Sequence, residues 1–229
     1  MRIKSEQFYR ELRIKLFIFL FFIGTLFCSA QEKNKEYNFP GEYNKKTAQG
    51  MAIYKNRAFL LNDGGFCRIY DLKENILVSE FNLSSSGSNH ANCADFGVEF
   101  PKGNRKYPAF YVSQCKGESL CFVESIDEKG SLLIQTIKFE SSKVSCNWIV
   151  DRKRKFLYST SMPSRVLDSI GTKEYVITKF KLPSLEKSKI VLTKDDILEQ
   201  FTIRYPNVQQ GGAIKDSYLY LPVGLHEFK

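Results

Sequence analysis

Ala109-Phe110-Tyr111-Val112 is a short aliphatic and aromatic run with three counterparts elsewhere in the chain: Ala58-Phe59-Leu60-Leu61, Phe156-Leu157-Tyr158-Ser159 and Tyr218-Leu219-Tyr220-Leu221. Their first residues are spaced 51, 47 and 62 positions apart in chain order. Around each run the same elements return. Phe59 is followed by a turn at Asn62-Asp63-Gly64-Gly65, then Phe66 to Leu72 and Ile76 to Phe81. The second copy continues through Lys116-Gly117-Glu118, Leu120 to Asp127 and Leu132 to Ile137, and the third through Tyr175 to Phe180 and Ile190 to Leu192. Runs rich in β-branched and aromatic residues, bounded by Gly, Asn, Asp and Lys clusters, read as strands joined by tight turns.

A fourth strand precedes each run. Gln49-Gly50-Met51-Ala52-Ile53 and Gln210-Gly211-Gly212-Ala213-Ile214 are near copies, and Asn92 to Val98 and Cys146 to Val150 occupy the same place in the middle units. A period near 50 residues with four strands per unit predicts an all-β fold of the β-propeller type. The units fall at 49–83, 90–139 and 145–194, with a partial fourth at 209–229 that lacks one strand. Two arrangements would deal with the missing strand. Residues 35–48 could supply it and close a four-bladed ring, or the chain could be a piece of a larger propeller, which is the reading favoured here because complete proteins cover open sheet edges.

Residues 1–30 read as a signal peptide. Arg2, Lys4, Arg10, Arg13 and Lys15 precede the apolar stretch Leu16 to Phe27, too short for a spanning helix. Cys28-Ser29-Ala30 supplies small residues for cleavage before Gln31, with a lipid anchor on Cys28 as the alternative. Residues 31–48 form a lead-in. The expected destination is periplasmic, secreted or cell-surface, with no membrane span after cleavage.

Removing the five basic and two acidic residues of this leader lowers the net charge from +9 to +6. The dense cluster Arg152-Lys153-Arg154-Lys155 lies where a hairpin turn is expected, so no nucleic-acid surface is predicted. Five cysteines remain. Cys115 and Cys121 flank a turn and are candidates for a disulfide, and Cys93 with Cys146 for a second, the alternative being buried free thiols. No metal-ligand spacing or cofactor motif occurs.

Ile149 to Ser159, a strand, a charged turn and a Leu-Tyr strand, resembles the hairpins of secreted bacterial β-propellers of the YVTN and quinoprotein-like kind, as does Ala58 to Leu72. The resemblance implies a fold and no particular activity. In such folds the loops entering each innermost strand converge near the axis. Gln49, His90, Asn92, Asn147, Gln209 and Gln210 occupy those entrances, a neutral hydrogen-bonding set suited to a glycan, peptide or partner protein. Asp95 is the nearby carboxylate.

His90 with Asp95 could instead serve as general base and orienting acid of a hydrolase or lyase, the structural alternative being a loop histidine that seals the join between units. A third reading is a truncated, non-functional product. Trp148 is expected in the core between units, Ser84 to Ser88 in a connecting loop, and Lys194 to Gln200 in a short helical excursion.

Overall fold

The computed structural model describes residues 49–88, 90–103, 106–163, 172–205 and 211–222. These residues are all-β, forming fifteen strands in several antiparallel sheets. The first sheet is a meander of β1 (Gly50–Tyr54), β2 (Arg57–Leu61), β3 (Phe66–Asp71) and β4 (Ile76–Asn82). The second begins the same way with β5 (Ala91–Phe96), β6 (Phe110–Gln114), β7 (Leu120–Asp127) and β8 (Gly130–Phe139). The third opens with β9 (Cys146–Asp151), β10 (Phe156–Ser161) and β11 (Lys173–Lys181).

Here the chain departs from the expected order. β12 (Lys189–Leu192) leaves the third sheet and pairs in parallel with β8, becoming the fifth strand of the second. The fourth strand of the third sheet is β13 (Ile197–Tyr205), antiparallel to β11. Ile190 to Leu192 is therefore not the outer strand of its own unit, and that sheet extends past residue 194.

The expected helix over Lys194 to Gln200 shrinks to a 3-10 turn at Lys194–Asp196. Thr193 caps it: Asp195 N–H donates to Thr193 Oγ1 at 3.3 Å, while Asp196 Oδ2 accepts from Thr193 N–H at 2.8 Å. This capping box starts the turn, and the extended backbone of Ile197 (φ −73°, ψ 117°) ends it after three residues and continues as strand. Of the last unit, the described residues contain the hairpin of β14 (Ala213–Lys215) and β15 (Tyr218–Tyr220).

One irregularity recurs that the sequence does not announce. The pairing of third with fourth strand shifts register at Ile69/Tyr70, at Val123/Glu124 and at Lys179/Phe180, once in each large sheet. A bulge sharpens local twist and turns the outer strand away from its neighbours.

The sheets pack in chain order. Phe59, Leu61 and Ile69 of the first meet Phe96, Phe110 and Val112 of the second, with Tyr54 and Tyr107 completing an aromatic cluster. Tyr111, Cys121 and Val123 on the opposite face of the second sheet meet Trp148, Leu157 and Phe180 of the third. β6 is thus buried on both faces, which is why Phe110-Tyr111-Val112 reads as an unbroken apolar run instead of an alternating one. Trp148 sits in the core between sheets, as expected, fully buried and 6.2 Å from Phe180 between ring centroids. Arg152 to Lys155 forms the β9–β10 turn, as expected. No helix among the described residues is long and apolar enough to cross a membrane.

Candidate functional site

β5 and β9, the first strands of neighbouring sheets, lie side by side and contact each other at a constant offset of 55 residues. Asn92 Nδ2 donates to Asn147 Oδ1 at 3.3 Å, Val150 N–H donates to Asp95 Oδ2 at 3.0 Å, and Arg152 Nε donates to the Gly97 carbonyl at 3.2 Å. The two asparagines predicted from sequence are therefore brought together, at the same end of their strands.

They share a cleft of about 300 Å3, lined by Asn92, Cys115, Ser145, Asn147, Thr160 and Tyr175 among others. Thr160 stands opposite Asn147 in the β9–β10 register, so both side chains project from one face. Asn147 Oδ1 also accepts from Cys115 Sγ at 2.8 Å, and Ser145 Oγ donates to the Cys115 carbonyl at 3.1 Å. Two polar atoms are left over. Asn92 Oδ1 and Thr160 Oγ1 are buried and have no hydrogen-bond partner, in residues only 8% and 2% exposed. Buried polar groups are almost always paired, because leaving one unmade costs about 1–3 kcal/mol. Among the described residues no carboxylate lines the cleft, and the one charged lining residue, Lys143, is exposed. Apart from Lys143 the described lining residues are uncharged, and the unmet atoms are one amide oxygen and one hydroxyl.

The remaining predicted residues separate. Gln49 begins the first sheet by donating its N–H to the Leu61 carbonyl at 2.9 Å and does not line the cleft. His90 Nδ1 faces Asp63 Oδ1, and the His90 carbonyl accepts from Cys115 N–H at 3.1 Å and Asn92 N–H at 2.8 Å.

Asp95 is spent elsewhere. Phe96 N–H donates to its Oδ1 at 2.8 Å and Val150 N–H to its Oδ2. Burial raises its carboxyl to about 6, against the opposing pull of those two amides and the Arg152 charge. Five residues of strand, roughly 16 Å, separate it from His90, so the expected general-base pair is not assembled. Gln209, Gln210, His226, the signal peptide with Cys28 and the lead-in lie outside the described residues.

The disulfide expectation is corrected: Cys67, Cys93, Cys115, Cys121 and Cys146 are all free. Cys121 stands opposite Ser113, which places Cys115 diagonally across the ladder. Diagonal neighbours lie roughly 7–8 Å apart, beyond the span of a disulfide. Cys93 donates to the Trp148 carbonyl and not to Cys146. Burial pushes the Cys146 thiol up to about 11 and the Cys115 thiol higher still, so neither is a ready nucleophile.

Sequence reading missed Thr160 and Cys115 as members of the site. The available signal was the register: Thr160 is the partner of Asn147 once the β9–β10 turn is placed at Arg152 to Lys155.

No family model and no curated protein matches this chain. Among solved structures it is similar to the computationally designed Ika4 protein, at 11% identity and TM-score 0.40, covering 83% of this chain and 93% of that one. It is also similar to the computationally designed Ika8 protein, at 13% identity and TM-score 0.35, covering 75% of this chain and 41% of that one.

Proposed function

We propose that this chain is an exported β-propeller-type binding module that holds one residue of a neutral, hydroxyl-rich ligand, a glycan, in the cleft of Asn92, Asn147 and Thr160. The propeller reading is supported by the consecutive antiparallel meanders, the bulge repeated in all three large sheets, and the contacts of β5 with β1 and β9 and of β14 with β9. The leader-like composition of residues 1–30 supports export.

A single observation carries the ligand assignment: a buried amide oxygen, Asn92 Oδ1, and a buried hydroxyl, Thr160 Oγ1, both without partners in one cleft. A hydroxyl donates as well as accepts and satisfies both at once. The volume corresponds to about ten waters, which suits one sugar ring and not an extended chain. Asp95, engaged by two amides, gives the His90–Asp95 form of the hydrolase or lyase alternative no support.

The test is a titration of the purified full chain with a panel of methyl hexosides and oligosaccharides, followed by NMR of side-chain amides. Saturable shifts of the Asn92 and Asn147 amides, lost at least tenfold in affinity in Asn92→Ala, are expected. A panel that leaves those amides unmoved, while peptides move them, would replace the glycan by a peptide or protein partner.

A further inference from the structure

A second cavity, of about 450 Å3, opens at the other end of the same strands, between β1, β5, β9 and β14. Apolar side chains form part of its walls: Met51 and Ile53 on β1, Ala94 on β5, Val150 on β9, and Ile214 on β14. Met51 and Ile53 are 54% and 50% exposed, although the strand that carries them buries Gly50, Ala52 and Tyr54 on its other face. Large apolar side chains left half bare on a concave wall mark a place where something apolar is held. The Met51 thioether adapts to an irregular shape more easily than a branched side chain would.

The charged residues lining the cavity balance in sign, Asp95, Asp151 and Asp216 against Arg152, Lys153 and Arg154. Asp151 holds Arg154 through Nε at 2.5 Å and through its backbone N–H at 3.0 Å. Arg152 is engaged by the Gly97 carbonyl, with its guanidinium 5.1 Å from the centroid of the Tyr54 ring. Lys153 and Asp216, both exposed at the rim, have opposite signs. An ionic ligand of either sign would surrender hydration here to face charges of both signs, with no net counter-charge to gain. Asp95, on β5, also lines the cavity. Each Asp95 oxygen accepts one backbone N–H and so retains a lone pair for a further donor.

We propose that this cavity binds an uncharged apolar molecule carrying a single hydrogen-bond donor, with its body against Met51, Ile53 and Val150 and its donor on Asp95. An aliphatic alcohol is the simplest member of that class, and the volume equals about fifteen waters, enough for a ten-carbon chain. This inference is independent of the glycan reading, because it uses none of the cleft residues.

The experiment is calorimetric titration of the full chain with 1-decanol, decanoate and decylammonium, each below its aggregation limit. Decanol is expected to bind saturably, with a negative heat-capacity change and at least fivefold more tightly than either ion. Ile53→Ser should weaken decanol at least tenfold, and Thr160→Val should leave it unchanged. Met51→Ser serves the same purpose if the Ile53 variant fails to fold. Absence of saturable decanol binding, tighter binding of either ion, or undiminished affinity in the folded Ile53 or Met51 variant would overturn the assignment.

Discussion

Thr160→Val separates stability from binding in a single substitution. The side chain is 2% exposed and its Oγ1 has no partner, yet it stands within the inner strand β10, paired with Asn147 on one side and Ile177 on the other. Valine has the same shape and a slightly better strand preference. It removes an unmet hydroxyl whose burial costs about 1–3 kcal/mol when nothing satisfies it. Allowing for solvent that reaches the cleft, the ligand-free variant should gain about 1 kcal/mol. For a domain of this size that is roughly 2–4 °C in Tm.

Binding should move the other way. Losing one neutral hydrogen bond to the ligand weakens affinity by about 1 kcal/mol, a factor of roughly five. The pair of assays is thermal unfolding without ligand and titration with the best glycan of the panel. A Tm that falls by several degrees would mean that the hydroxyl is already satisfied within the protein. Unchanged affinity would remove Thr160 from the site, and the two results together would refute the reasoning.

Three further outcomes are expected. Glu124 is fully buried and accepts from Ser85 N–H at 3.0 Å, Ser84 N–H at 3.2 Å, and the hydroxyls of Ser85 and Ser131, tying the β4–β5 connection to β7. Glu124→Ala should cost about 3 kcal/mol in chemical denaturation by stranding those donors, and a loss under 1 kcal/mol would contradict the network. Asp95 is raised from 3.8 to about 6, so the folded state takes up a proton more readily than the unfolded one. The penalty on its charged form, about 3 kcal/mol at pH 7, should fade as pH drops through 6 toward 4. The stability difference between wild type and Asp95→Asn should therefore shift toward wild type between pH 7 and pH 5, and a flat difference would argue against it. A Cβ on Gly50 would meet the Ala91 carbonyl at 2.8 Å, so Gly50→Ala should cost about 1–3 kcal/mol by forcing β1 from β5, whereas a neutral effect would show that those strands have room to part.

What could be read from the residues was whatever local alternation and turn chemistry encode. The meander of 50–82, the hairpin around Arg152 to Lys155 and the burial of Trp148 all follow from runs of β-formers closed by polar turns. β12 was legible as a strand but not in its allegiance, because parallel pairing with β8 is a non-local choice that Lys189 to Leu192 does not record. Ile197 to Gln200 carries two apolar residues followed by Glu and Gln, a pattern that fits helix and strand equally. Only the ladder with β11 decides it.

At the site, asparagines at strand entrances were visible as a set. The partner of His90 was not, since Asp63 lies 27 positions earlier in a turn and Asp95 is merely nearer in sequence. The cysteine pairs failed for a geometric reason. Adjacency across a turn does not place two side chains directly opposite.

The loan of β12 to the second sheet changes what kind of array this is. Tandem units joined end to end can peel away singly, but here the second and third are laced: freeing β8 requires dragging out the segment between β11 and β13. Pulled from its ends, the molecule should yield those two modules in one force event and the first by itself. The same lacing means that neither laced module can be excised or duplicated as a self-contained cassette.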